Sequence, residues 1–493
     1  MGIIIKQSFR NLVSTYIGIV IGAVNTLVFY PFFFEQKYYG LAAYLLTAAN
    51  LFWPFMALGA QNAIIKFFSF YKTKKEKDQL LSLALIIPLV FGLILGGLGS
   101  LFYPYILGYF EGGNELVQPY AWLIFVIAIS SAYFEIFFSW NKVFLKSSFG
   151  NFMKEVFHRL GTSILLLAYY FNLIDIPTFI YSIATVFVLR TFVMMISAFH
   201  LYFPKLEFSF PSNKKSLIYY SILIFIAGTI SVALYDLDKF MIEYFLPIEE
   251  VAVYGIPVYI ATVIGVPQRA MHQITNPITA QYLNTKNLAA LADLYKRSST
   301  NLFLISGLIF VLIISNINQI YEIIPPEYDT GLTIVLLISL VKLVSNIIGN
   351  NNSILFNSNY YHYVLVLGVG LILFAILLNY FLIPSYGLEG AAFATFISFF
   401  LYDFLKVFFV QKKFSINPFS KQTYKLAVIV FTFTLIFYNF DFNFHPLLNI
   451  FIKSTIISAT YVPLVIWLKT SEEVNDFVYK IQDLVKSYFT KEK

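Results

Sequence analysis

The stretch YDLDKFMIEYF (235–245) sets two aspartates, a lysine and a glutamate inside a run that otherwise reads as a membrane-spanning helix. A bilayer core of roughly 30 Å asks for about 20 apolar residues per helix. An ionised side chain at the centre of such a helix costs about 2.5–3.5 kcal/mol. At about 100° per residue, Asp236, Lys239 and Glu243 follow at i, i+3 and i+7 on one face, and Asp238 points about 200° away from Asp236. The run ends near Phe245, so at about 1.5 Å per residue Lys239 lies roughly 9 Å and Asp236 roughly 13 Å below that end, near the midplane. Two readings of the stripe are open. It is a cation-coupling or substrate-contact site in a wet cavity, with Asp236, Asp238 and Glu243 as the coupling carboxylates. Or it is an internal Asp236–Lys239 pair that locks the helix to a neighbour.

The remainder of the chain has the same character. Of 493 residues, 59% are hydrophobic and 12% charged, with a mean hydropathy of +0.75. A water-soluble globule of that composition lacks the polar surface to cover itself. The chain therefore reads as an all-α integral membrane protein. About fourteen apolar spans recur, at approximately 11–34, 41–68, 80–108, 119–141, 157–174, 177–203, 216–246, 251–280, 301–324, 329–356, 363–383, 387–410, 425–440 and 447–468. The first, preceded by Lys6 and Arg10, is too long for a signal-peptide core and is expected to be retained. Cysteine is absent, which excludes disulfides, thiolate metal sites and cysteine nucleophiles. The net charge of +7 does not point to nucleic acid, because in a membrane protein the placement of Lys and Arg matters more than their sum. No GxxxxGK[ST] motif occurs, which argues against ATP hydrolysis on this chain.

The connections alternate in charge. KTKKEKD (72–78), KVFLKSSFGNFMKEVFHR (142–159), PKLEFSFPSNKK (204–215), the segment with Lys286, Lys296 and Arg297, and QKKFSINPFSKQTYK (411–425) are basic. EGGNE (111–115), PIEE (247–250), PPEYD (325–329) and NFDFNFHP (439–446) are acidic or neutral. Cytoplasmic loops collect Lys and Arg, so the basic set is expected inside, with both termini cytoplasmic. The tail with Lys480, Lys486, Lys491 and Lys493 agrees, whereas NSNYYHY (357–363), expected inside, carries no basic residue. No loop is long enough to fold as a domain, so the function is expected among the helices and not in an enzyme domain.

The layout repeats. EQKYYGLAAY (35–44) and, about 212 residues later, PIEEVAVYGIPVY (247–259) are acidic turns that run into small, aromatic helix starts, and PSYGLEGAAFATF (384–396) echoes them. Two six-helix lobes, 1–203 and 204–410, followed by a helix pair and tail at 411–493, fit this pattern. Such repeats place a transport path at the interface between halves.

Other polar groups fall within spans. Arg190 and Arg269 each lie about ten or more residues from an expected helix end. There a guanidinium is costly in lipid and well shaped to hold a phosphate in a bidentate manner, which makes a diphosphate headgroup the expected partner. The opposing reading for Arg190 is a pair with a carboxylate such as Glu135. Lys66 and Lys406, near cytoplasmic ends, are expected to snorkel. Lys342 and Lys453 are also intramembrane, and His272 beside Arg269 reads as a hydrogen-bonded packing residue. Asn346, Asn350 and Asn351 offer amides of the kind that read sugar hydroxyls, or serve as helix-end packing groups. Pro54, Pro88, Pro257 and Pro267 permit bending within spans.

Three stretches carry a family resemblance. GAQNAIIKFFSFY (59–71), DLDKFMIEYFLPIEEVAVYGIPVYI (236–260) and IPSYGLEGAAFATFIS (383–398) resemble the end of helix two, the junction of helices seven and eight, and the start of helix twelve in Wzx-like oligosaccharide-lipid flippases of the multidrug/oligosaccharidyl-lipid/polysaccharide (MOP) exporter superfamily. The resemblance implies a MATE-like, V-shaped pair of lobes that moves an undecaprenyl-diphosphate-linked oligosaccharide across the bacterial cytoplasmic membrane for polysaccharide biosynthesis. It implies Na⁺ or H⁺ coupling, no other cofactor, and polymerase and glycosyltransferase partners. It places Asp238 and Lys239 at the family's helix-seven pair and Lys66 at its basic position on helix two, and it suits coupling through Asp236 or Asp238 with Thr395 or Asn379. Lys66, Arg190, Lys239 and Arg269 together are the expected headgroup set. The alternatives are a MATE-like drug or metabolite exporter on the same fold, or a membrane glycosyltransferase, polymerase or ligase.

Overall fold

The computed structural model describes residues 2–102, 105, 115–207 and 209–475. The acidic turn EGGNE up to Asn114, the end of the third expected span and the lysines of the tail lie outside the described residues.

Every described secondary-structure element is helical. We number the α-helices α1 (Gly2–Val24), α2 (Tyr30–Phe33), α3 (Gln36–Ala57), α4 (Ala60–Phe67), α5 (Lys74–Leu101), α6 (Ala121–Val143), α7 (Ser147–Phe152), α8 (His158–Tyr170), α9 (Ile176–Leu201), α10 (Lys214–Phe245), α11 (Glu249–Thr262), α12 (Val266–Asn284), α13 (Leu288–Ser315), α14 (Ile317–Ile323), α15 (Gly331–Ile347), α16 (Asn351–Asn357), α17 (Tyr361–Phe414), α18 (Lys421–Tyr438) and α19 (Pro446–Trp467). Each expected span overlaps a helix, whole or interrupted. Among the described residues, nine helices are long and apolar enough to cross a membrane, or ten if the bent pair α15 and α16 counts as one. The protein is thus a multi-pass, all-helical membrane protein.

The interruptions follow from local chemistry. Pro54 withdraws a backbone donor near the end of α3, and Leu58 and Gly59 then take left-handed φ values of 43° and 76°, which stops the helix before α4 resumes it. One turn of π-helix, Asn25–Phe29, joins α1 to α2, and another, Met153–Phe157, joins α7 to α8. Gly349, at φ 58°, separates α15 from α16 with a bend of 57°. Helix α17 is two helices fused across Gly387, whose φ of 58° and ψ of −136° suit glycine alone. There Gly390 comes so close to the Leu382 carbonyl that a Cβ would clash with it, and this closes the chain into a hairpin.

Contacts divide the chain into two compact units, 1–256 and 257–493. In the first, α6 is the central post, packed by α3, α4, α5 and α9, and α10 lies along α3. Its core gathers Ile64, Phe67, Tyr71, Leu81, Phe134, Phe137, Trp140 and Met194. Gly40 lets α3 approach the backbone at Ile248, where no Cβ would fit. In the second, α13 is the post, packed by α12, α15 and α18.

Candidate functional site

The polar groups of the first unit concentrate on α6, the turn that follows α7, and α9. Helix α6 presents Glu135, Phe138 and Lys142 at spacings of three and four, hence along one stripe, with Phe134 next to Glu135 at its edge. The π turn at Met153–Phe157 brings Lys154 onto this stripe, with its Nζ 2.6 Å from Glu135 Oε1. Gly150 permits the approach, because a side chain there would collide with the Phe138 ring. Lys142 Nζ stands 3.9 Å from the centre of the Phe138 ring. From α9, Arg190 lays its guanidinium over Phe134 at 4.1 Å and Phe187 at 4.6 Å. Arg190 is 6% exposed, its Nε has no hydrogen-bond partner, and no ion pair among the described residues includes it. The expected Glu135 is electrostatically near, but Lys154 has taken it. Arg159 closes a separate pair with Glu155 at 3.1 Å, one turn along α8.

The helix-seven stripe, now in α10, is divided between neighbours of the same unit. Asp236 lies near Asn50 of α3 and within electrostatic reach of Lys239. Asp238, on the other face, accepts a 2.9 Å bond from the Tyr254 hydroxyl of α11. Glu243 is buried. Lys66 is exposed at the end of α4 and lies 3.8 Å above the Tyr220 ring, in the manner of a snorkelling lysine.

In the second unit, Arg269 is exposed on α12. The three asparagines are engaged inside the bundle: Asn346 donates to the Ile264 carbonyl at 2.7 Å, Asn350 donates to Thr279 at 2.8 Å and accepts from Ser298 at 3.1 Å, and Asn351 donates to Tyr295. All three are fully buried, so their amides fasten the broken helix α15/α16 to α12 and α13. Asn346 Oδ1 and Asn351 Oδ1 are left without a hydrogen-bond partner.

Lys406 corrects an expectation, because it does not snorkel. It is 3% exposed and paired with Asp403, one turn before it, at 2.7 Å. The pair straddles the break at Gly349: Asp403 accepts from Ser345 of α15 at 2.6 Å, and Lys406 donates to Asn352 of α16 at 3.0 Å. His272 lies close to the backbone of Gly349, and its Nε2 has no hydrogen-bond partner. Lys453, fully buried in α19, pairs with Asp441 at 2.7 Å, which also accepts from Gln319. Lys342 lies 5.8 Å from the Phe399 ring. Sequence reasoning missed the Asp403–Lys406 clamp, although its i, i+3 spacing was visible. It placed Lys142 and Lys154 in a basic connection; Lys142 belongs to the last turn of α6 and Lys154 to the π turn Met153–Phe157.

No protein-family model and no curated protein matches the sequence. Solved structures do match. The lipid II flippase MurJ in an inward closed conformation superposes with a TM-score of 0.66 at 15% identity, covering 94% of this chain and 100% of that one. An inward-facing multidrug resistance MATE family transporter of the MOP superfamily gives 0.59 at 15% identity, covering 83% and 94%. A MATE transporter from Vibrio cholerae gives 0.59 at 13%, covering 83% and 96%. The chain thus has the fold of the MOP exporters and flippases.

Proposed function

We propose, starting from this shared MOP fold, that the protein is a flippase for an undecaprenyl-diphosphate-linked oligosaccharide in the bacterial cytoplasmic membrane, with both termini cytoplasmic. The fold supports transport. The observation that carries the substrate class is Arg190, a buried guanidinium that no carboxylate neutralises among the described ion pairs. Burying an ion without a partner is costly. A diphosphate supplies the missing charge and a bidentate acceptor for the planar donor fork. A MATE-like drug exporter remains the rival on the same fold. Both likenesses are to the fold: that to MurJ takes in 94% of the chain and that to the MATE transporter 83%.

In this reading Arg269, Lys239 and Lys66 assist the headgroup, and Asp236, Asp238 and Glu243 serve a Na⁺- or H⁺-coupled alternating-access cycle. Glycosyltransferases supply the substrate on the inner face and a polymerase consumes it outside. Moving one charge through 100 mV is worth about 2.3 kcal/mol, enough to bias such a cycle.

The test is translocation of a fluorescent polyprenyl-diphosphate oligosaccharide in proteoliposomes, read by access of a membrane-impermeant quencher. The protein is expected to move it; Arg190→Ala and Arg269→Ala should slow it at least tenfold with unchanged protein yield. A wild-type protein that moves amphipathic cations but not this lipid establishes the exporter instead.

A further inference from the structure

The Arg190 environment is a built site with more structure than one buried cation. Lys142, Lys154 and Arg190 oppose a single carboxylate, Glu135, which feels all three of them. The neighbouring Glu155 is paired with Arg159 and also lies within electrostatic reach of Arg190. The group therefore carries an excess of two positive charges over its own carboxylate. His158 is a further neighbour, its ring 5.7 Å from that of Phe187.

The cations are also graded in depth. Lys154 is 41% exposed at its side chain and forms the mouth. Glu135 lies about 12 Å from the Val143 end of α6, and Arg190 about 17 Å from the Leu201 end of α9. Phe134 and Phe138, both buried, stand next to one another on this stripe with ring centres 6.0 Å apart. Aromatic faces attract a cation but give its N–H groups no acceptor, so Arg190 is held in place with donor capacity unspent. The π turn that carries Lys154 is itself the kind of helix irregularity that accumulates at functional sites.

We propose that Lys142, Lys154 and Arg190 form a binding site for a diphosphate-class anion within the first unit, and that Glu135 occupies Lys154 as an internal surrogate for that anion when the site is empty. An arriving diphosphate takes Lys154 from Glu135 and then engages Arg190 at the floor. The surrogate keeps Lys154 paired while the site is empty, and it sets a threshold: a monoanion offers Lys154 no more than Glu135 already does, whereas a diphosphate has charge left over for Arg190. This proposal deepens the flippase reading and rests on it for the biological source of the anion, but its chemistry is tested without transport.

The experiment measures calorimetric binding of inorganic pyrophosphate to the full-length protein in phosphatidylcholine nanodiscs, with polyprenyl diphosphate incorporated into the disc as a second arm and phosphatidylglycerol as the monoanionic control. Glu135→Gln should tighten pyrophosphate about tenfold, Arg190→Ala should weaken it at least tenfold, and Arg190→Lys should fall between, each with a retained thermal transition. Tightening for both diphosphates assigns free and lipid-linked anions alike; tightening for polyprenyl diphosphate alone assigns the headgroup. Binding that is absent from both arms, or indifferent to Glu135 and Arg190, overturns the site. If pyrophosphate binds as expected but the lipid-linked oligosaccharide is not moved, the function proposed above falls and the site stands. Translocation with binding that ignores these residues does the reverse.

Discussion

Arg190 and Lys406 are both basic residues within apolar helices, yet they meet opposite fates. Lys406 has a carboxylate three residues earlier on its own helix and two helix arms to bridge, and it becomes a clamp. Arg190 has phenylalanine faces and two nearby carboxylates, Glu135 and Glu155, that are paired with other cations. Removing one partner of a buried pair strands the other charge, so Asp403→Ala or Lys406→Ala should destabilise the protein by about 3–5 kcal/mol. The double replacement Asp403→Leu with Lys406→Met should cost clearly less than the two single changes summed, as read from thermal unfolding in detergent. Simple additivity would show that the pair holds nothing together. By contrast, Lys66→Met should change stability by less than about 1 kcal/mol, because that lysine is exposed and its contacts are with two rings, those of Tyr220 and Phe67.

Among elements, the apolar spans are continuous to the eye in sequence, whereas several are broken in the fold. The break within α17 falls in a gap between two spans, where Gly387 and Pro384 announce it. The breaks at Leu58–Gly59 and at Gly349 fall inside single apolar stretches, and only positive φ values and close backbone approach mark them. A Cβ at Gly387 would meet nothing within 4 Å, so Gly387→Ala isolates backbone strain and should cost about 1–3 kcal/mol. At Gly349 the same change adds a clash, since the Cβ would lie 2.8 Å from Ser299 N. Gly349→Ala should therefore lower the melting temperature more than Gly387→Ala, and equal shifts would remove the claim that α15 and α16 are held at a tight bend.

For the molecule as a whole, the alternation of basic and acidic connections sets a topology open to direct test. The chain contains no cysteine, so single cysteines report their side of the membrane without background. Lys75→Cys should be modified only by reagents that reach the cytoplasm, and Glu322→Cys by impermeant reagents added outside. Labelling of both from one side would overturn the positive-inside assignment. The division into lobes at 203 and 410 is part of the same proposal, to be judged by which segments move together during transport.

Composition and span periodicity were enough by themselves to determine a helical, multi-pass membrane protein, because hydrocarbon forces every backbone group into helical hydrogen bonds whatever the neighbours are. Three local stretches were enough to suggest the superfamily whose fold the structure then showed. Partnership was decided only in three dimensions. Whether a buried charge is paired, stacked or left for a ligand depends on which helix lies opposite, as with Lys154 reaching Glu135 before Arg190 could, and with three asparagines turned to their own bundle. A sequence records which groups must be satisfied, whereas the distances that satisfy them exist only once the helices have packed.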